Sequence, residues 1–135
     1  MVDRLRIAHC SDIHLGVRSS HEQDSNCARF ARVLAQISDH RPDLMLLAGD
    51  LFDTNIVDDT TVHFAMDALG ALAFPVTMIP GNHDCMTADG IYRRHDFLKI
   101  PNVVLLDTED GSSADLPQLG VTIWGKAMVN HANSF

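Results

Sequence analysis

Cysteine is scarce in this chain, and Cys10, Cys27 and Cys85 form an odd set at unrelated spacings. With no C-x-x-C pair and no even set, a disulfide framework is excluded, and a reducing cytoplasm is the expected compartment. Long apolar runs are also lacking: no uncharged stretch approaches the roughly 20 residues needed to span a bilayer. Met1-Val2-Asp3-Arg4 leads into a short apolar run without a signal-like region, so neither a targeting segment nor a membrane segment is expected. Positive charge is short as well. Ten Lys and Arg against 18 Asp and Glu give a net charge of -8, which opposes non-specific attraction to a phosphate backbone unless local cations reverse the field. Acids placed beside divalent metals would contribute less to that repulsion. What is present is ordinary globular composition: 135 residues, 46% of them hydrophobic and 21% charged, are enough for one domain with a real core and argue against disorder. No internal repeat, linker or low-complexity tract interrupts it.

Three apolar runs each end in a polar turn. Arg4 to Cys10 runs into Ser11-Asp12-Ile13-His14, Asp43 to Ala48 into Gly49-Asp50-Leu51-Phe52-Asp53, and Phe74 to Ile79 into Pro80-Gly81-Asn82-His83-Asp84. Between the first two, residues 11–25 read as polar loop and Asn26 to His40 as a helix, with Phe30, Val33, Leu34 and Ile37 on one face and Pro42 ending it. Leu44 to Ala48 is apolar throughout, as in a strand covered on both faces. Asp58 or Asp59 is positioned to cap a second helix, through about Leu72. Pro75 to Ile79 is the third strand. Beyond Cys85 the pattern predicts a short helix over Ile91 to Leu98, a fourth strand over Asn102 to Leu106, a turn-rich stretch from Asp107 to Pro117 and a fifth strand over Val121 to Trp124, antiparallel to its predecessor across the Gly111 turn.

Alternating short strands and helices predict βαβ units and a mostly parallel sheet, in which all strand carboxyl ends lie on one edge. Ligands in open α/β sheets bind outside that edge, so topology gathers Asp12, His14, Asp50, Asn82 and His83. Residues two apart in an extended segment share a side, which lets Asp12 and His14 grip one ion. Asp50, on a tight turn, has two oxygens with which to bridge two cations, and Asn82 offers a hard amide oxygen to the second. Oxygen and nitrogen ligands without thiolate favour Mn, Fe or Zn. Two such ions about 4 Å apart suit hydrolysis of a phosphoester by in-line attack. His83 is placed to reach the substrate as a proton donor or charge stabiliser, with Asp84 expected to orient it.

Asp12-x-His14, Gly49-Asp50-x-x-Asp53 and Gly81-Asn82-His83-Asp84 resemble, in the same order, the motifs of the calcineurin-like metallophosphoesterases. Gly49-Asp50-Leu51-Phe52-Asp53 and the Pro80-Gly81 pair look like the DNA-repair exonuclease (SbcD-like) branch. The resemblance implies an α/β fold, a layered α-β-β-α sandwich, of which residues 1–135 form the N-terminal part with parallel βαβαβ units and a following β-hairpin. It further implies Asp12, His14, Asp50 and Asn82 as metal ligands, His83 as the catalytic histidine and a supporting role for Asp53. Two divalent ions, manganese first, a phosphodiester substrate such as DNA and an SbcC-type ATPase partner belong to the same implication. The family completes its site with later histidines, and His131, the only histidine after His95, follows the Trp124 strand too closely to be assigned that ligand role. The C-terminal ligand-bearing part of the domain is therefore expected to be absent, leaving a sheet edge or apolar face uncovered.

Blander readings apply elsewhere. His9 is expected to be a hydrogen-bonded core histidine, Cys85 a small buried hydrophobe and Trp124 a core residue. His21, His40, His63 and His95 read as surface or packing residues, and Tyr92-Arg93-Arg94-His95 as a solvated helix face rather than a phosphate contact. Two further functions stand beside the nuclease: a phosphodiesterase for a small nucleotide or lipid-linked substrate, which the acidity favours, and a truncated, non-catalytic half-domain.

Overall fold

The computed structural model describes residues 4–16 and 20–132. Strand β1 (Ile7–Cys10), β2 (Leu44–Ala48), β3 (Val76–Ile79) and β4 (Val103–Leu105) form a four-stranded sheet in that order, every neighbouring pair parallel. Helix α1 (Ser20–Asp39) joins β1 to β2 and α2 (Asp59–Gly70) joins β2 to β3. A one-turn helix α3 (Ile91–Arg94) and a 3-10 turn (Phe97–Lys99) then lead to β4. An antiparallel hairpin of β5 (Ser112–Leu116) and β6 (Val121–Gly125) follows.

Asp58 caps α2 as anticipated, its carboxylate accepting the Thr61 N–H at 2.9 Å. Two boundaries differ from expectation. Helix α1 begins at Ser20 rather than Asn26, so the polar residues 20–25 extend the helix in place of loop. The partner of β6 is β5, taken from the stretch read as turn-rich, with residues 117–120 rather than Gly111 making the turn. Ser112, Ser113 and Asp115 are weak strand formers, and pairing with the apolar Val121–Gly125 run overrides their propensity.

One face of the sheet carries the core. Met45, Leu47, Val76, Met78, Val103 and Leu105 pack with Phe30 and Leu34 of α1 and with Val62, Ala65 and Leu69 of α2. Leu15, Leu51, Phe52 and Phe97 extend this core to the carboxyl edge, so the turns that follow β1 and β2 are anchored by buried side chains. The opposite face bears His9, Leu46, Ala48, Thr77 and Ile79, and an open groove of about 130 Å³ runs between them and Trp124.

Two core expectations fail on that second face. His9 is exposed, because β1 is an edge strand and His9 points away from the helices. Trp124 is 63% exposed, because a two-stranded hairpin turns only one side inward, here the Gly125 side against Ile79 and Leu106, while the indole lies outside over Gly111. Cys85 is fully buried, as expected. Arg94 pairs with Asp59 at 3.5 Å and donates to the Asn55 carbonyl at 2.8 Å, whereas Tyr92, expected on the same solvated face, is buried.

As the only tryptophan in the chain, Trp124 is expected to emit as a water-exposed indole and to be quenched by acrylamide in the folded protein. Phe52→Ala, by contrast, removes a fully buried ring and is expected to cost about 3–5 kcal/mol in a denaturant titration.

Candidate functional site

The turns after β1 and β2 are zipped together along their backbones. Asp12 N–H donates to the Gly49 carbonyl (3.2 Å), those of Ile13 and His14 to the Asp50 carbonyl (2.9 and 3.1 Å) and that of Leu15 to the Leu51 carbonyl (2.9 Å). This zipper forces an unusual chain path. Of the four non-glycine residues with positive φ among the described residues, three are Asp12 (56°), His14 (53°) and Asp50 (54°). The extended geometry expected for Asp12-x-His14 is thus replaced by two left-handed residues. They still meet, with His14 Nε2 at 3.9 Å from Asp12 Oδ1. Aspartate and histidine tolerate this region better than most residues. Held strain of about 1–3 kcal/mol per residue is the kind that surrounding structure sustains at functional sites.

Glycine is required where the second and third turns touch. A Cβ on Gly81 would lie 2.1 Å from Asp50 Oδ1, and one on Gly49 would lie 2.9 Å from the Gly81 Cα. The close approach lets Asp50 Oδ1 accept the His83 N–H at 2.9 Å.

Asp84 does not orient His83. Its carboxylate is fully buried and accepts the N–H groups of Gly81 (2.7 Å), Asp50 (3.2 Å) and Phe52 (3.2 Å) and the Tyr92 hydroxyl (2.7 Å). Burial pushes its pKa above the usual carboxylate range, while the bonds from Tyr92, Gly81 and Phe52 pull it back. Burial first, then the Asp84 charge, holds the Tyr92 hydroxyl well above its ordinary value, so Tyr92 donates to the carboxylate. The His83 ring is oriented instead by Asp53: Nδ1 lies 2.8 Å from the Asp53 carbonyl. A carbonyl only accepts, which puts the proton on Nδ1.

Asp53 serves both histidines, because its carboxylate Oδ1 lies 3.3 Å from His14 Nδ1. That contact is off hydrogen-bond geometry, and His14 Nδ1 is buried without a hydrogen bond. The two imidazole rings stand edge to face with centroids 4.7 Å apart.

Two overlapping groups of potential ligand atoms result, Asp12-His14-Asp50 and His14-Asp53-His83, each with all atoms within 4.8 Å of one another. Carboxylates, imidazoles and an orphaned buried nitrogen in so small a space fit a divalent cation. Asn82 stands between two clefts at this edge. One of about 220 Å³ is lined by Asp53, Thr54, Asn82, His83 and His131; the other, about 240 Å³, is lined by Asp50, Gly81, Asn82 and Met128 among others. A larger cavity of about 490 Å³ lies between Arg4, Arg6, Arg41 and Asp43 at the amino ends of the strands, away from these groups. All seven residues picked out from the motifs are therefore at one edge, with Asp84 beneath the surface rather than in the cleft. Tyr92 and His131 join them from outside the motifs. No sequence signal marks Tyr92, and His131 has only its place on the loop after β6.

The protein is of the α/β class, with potential metal ligands gathered at the carboxyl edge of a parallel sheet. The chain belongs to the calcineurin-like phosphoesterase family, whose model matches residues 5–132. It is 31% identical over 88 residues to the D component of the nuclease SbcCD of Staphylococcus epidermidis, covering 59% of this chain and 23% of that protein. It is 30% identical over 84 residues to the "DNA double-strand break repair protein Mre11" of Nanoarchaeum equitans, covering 58% of this chain and 23% of that one. The chain thus spans about a quarter of these relatives. The crystal structure of Pseudomonas putida nuclease MPE shares its fold, with a TM-score of 0.53 at 21% identity over 77% of this chain and 48% of that one.

Tyr92→Phe leaves the buried Asp84 carboxylate short of one donor and is expected to lower the unfolding free energy by about 1–3 kcal/mol. Asp84→Ala strands three backbone N–H groups and should cost more than Tyr92→Phe. Chemical denaturation of the two variants checks the order.

Proposed function

We infer that this chain supplies the N-terminal, ligand-bearing part of a two-metal phosphodiesterase, a DNA exonuclease of the SbcD-like branch. The observation that carries the reading is the convergence of Asp12, His14 and Asp50 within 4.8 Å at the sheet edge, in a chain whose family is a phosphoesterase family. Asp12, His14, Asp50 and Asn82 hold the ions, with manganese as the first choice for this oxygen-rich set. Bound there, two divalent ions supply Lewis-acid stabilisation of the phosphoryl oxygens and a lowered pKa for water.

The chain's own residues do the rest. The Asp53 carbonyl holds one proton on His83 Nδ1 and leaves Nε2 to face the phosphodiester; with Nε2 protonated as well, the imidazolium gives that second proton to the leaving oxygen and ends as the neutral ring. The Asp53 carboxylate lies 3.3 Å from His14 Nδ1, on the side where carboxylates orient metal-bound histidines. Asp84 keeps the two turns in register from below. DNA as substrate is favoured by the staphylococcal and archaeal relatives, whose names describe a nuclease component and a DNA break-repair protein; the SbcC-type ATPase partner rests on the motif resemblance, and the cytoplasmic setting on the few, unevenly spaced cysteines. No helix among the described residues is long and apolar enough to cross a membrane. The net charge of -8 favours the competing small-phosphodiester substrate.

In the protein carrying this chain, manganese is expected to support nucleotide release from linear duplex DNA. Turnover of bis-p-nitrophenyl phosphate without release from duplex would favour the small substrate instead. His83→Gln should reduce turnover by about 10²–10⁴-fold while metal content, measured by mass spectrometry, stays at the parent value. Loss of metal together with activity would make His83 a ligand.

A further inference from the structure

The peptide unit joining Asn82 to His83 is gripped at both ends. Its N–H donates to Asp50 Oδ1 at 2.9 Å, and its carbonyl accepts from His131 Nδ1, also at 2.9 Å. His131 arrives from the loop after β6, 49 residues away in sequence. That loop is tied to the site by its backbone: Ala127 N–H donates to the Thr108 carbonyl (3.0 Å), Met128 N–H to the Pro80 carbonyl (3.2 Å) and Met86 N–H to the Met128 carbonyl (2.8 Å). The imidazole is flanked by Cys85, whose Sγ lies 3.7 Å from Nδ1 and 3.8 Å from Nε2. Cys85 is itself held by Asn55, which donates to its carbonyl at 3.0 Å.

Rotation of that peptide plane would carry the Asn82 side chain and the His83 ring away from their places together. Asp50 alone cannot prevent it, since one hydrogen bond leaves the plane free to pivot about its N–H. A second anchor on the opposite side removes the pivot. His131 is not a further member of the ligand groups found among the described residues, and its proton-bearing nitrogen is committed to a carbonyl.

We propose that His131 is a positioning residue, whose Nδ1–H clamps the Asn82 carbonyl and thereby orients both the Asn82 amide and the His83 ring at the phosphodiester cleft. The proposal rests on the reading of Asn82 as a metal ligand and His83 as the catalytic histidine. It adds to that reading an element outside every motif, the loop beyond β6, as part of the site's frame.

The test compares His131→Ala, His131→Asn and His131→Gln in the protein carrying this chain. The amide nitrogen of asparagine falls where Nδ1 sits and that of glutamine where Nε2 sits, so only asparagine can replace the clamp. The readout is hydrogen exchange of the His83 amide by NMR, with the Leu47 and Met78 amides of the central strands as the global reference. His131→Ala is expected to speed His83 exchange by about tenfold, the loss of one hydrogen bond, with the reference amides unchanged. His131→Asn is expected to restore protection and His131→Gln to leave it lost. Unchanged His83 exchange in His131→Ala overturns the proposal, as does rescue by glutamine alone or an equal rise at Leu47 and Met78. A separate Mn(II) titration of Asn82→Ala, followed by electron paramagnetic resonance, addresses the underlying reading. Undiminished affinity there overturns Asn82 as a ligand and leaves the clamp standing, whereas failure of the exchange test leaves the ligand reading intact.

Discussion

A single buried carboxylate ties the site together. Asp84 accepts from Asp50 and Phe52 on the second turn, from Gly81 on the third and from Tyr92 on α3. Three of these donors are backbone N–H groups that no strand or helix would otherwise satisfy, and leaving them unpaired in the interior would be costly. Surrounded by four donors, the carboxylate behaves like the centre of a small acceptor site made by the protein for itself. The position of Asp50, and through it the position of His83, depends on that centre.

Strain at Asp12, His14 and Asp50 is tolerable only because of this surrounding order. Each of the three sits in left-handed backbone, and the zipper between the first two turns fixes all of them. The arrangement is a trade between local discomfort and global fit. Short side chains capable of coordination are brought within one ion's reach by residues that would otherwise prefer to point apart. Asp53 then adds a contact to each histidine, one through its carbonyl and one through its carboxylate.

Much of this is legible in the sequence because it is written in period and punctuation. The apolar run Leu44–Ala48 and the cap Asp58 announce β2 and α2, and the three strand-end turns announce the edge where ligands meet. The misreadings have a common physical root. Apolar strands suggest a core place for His9 and Trp124, yet an edge strand and a hairpin each present a side that faces no helix. Adjacency to His83 in sequence suggests contact with Asp84, whereas successive side chains diverge. Tyr92 and His131 are beyond the reach of sequence for another reason: neither lies in a motif, and the hydrogen bond of His131 exists only once the hairpin has docked beside β3.

Four of the bonds that build the site join residues remote in sequence: 34 positions separate Asp50 from Asp84, 33 separate His83 from Asp50, 30 separate His83 from Asp53 and 49 separate His131 from Asn82. Closing loops of that length costs chain entropy that local helix formation does not meet. The cluster therefore has no counterpart in the unfolded chain, and it forms when the sheet does. A cation bound by Asp12, His14 and Asp50 would favour the folded state by mass action, since the unfolded chain offers it no comparable set of ligands. Stability and metal occupancy are in that sense one equilibrium seen from two sides.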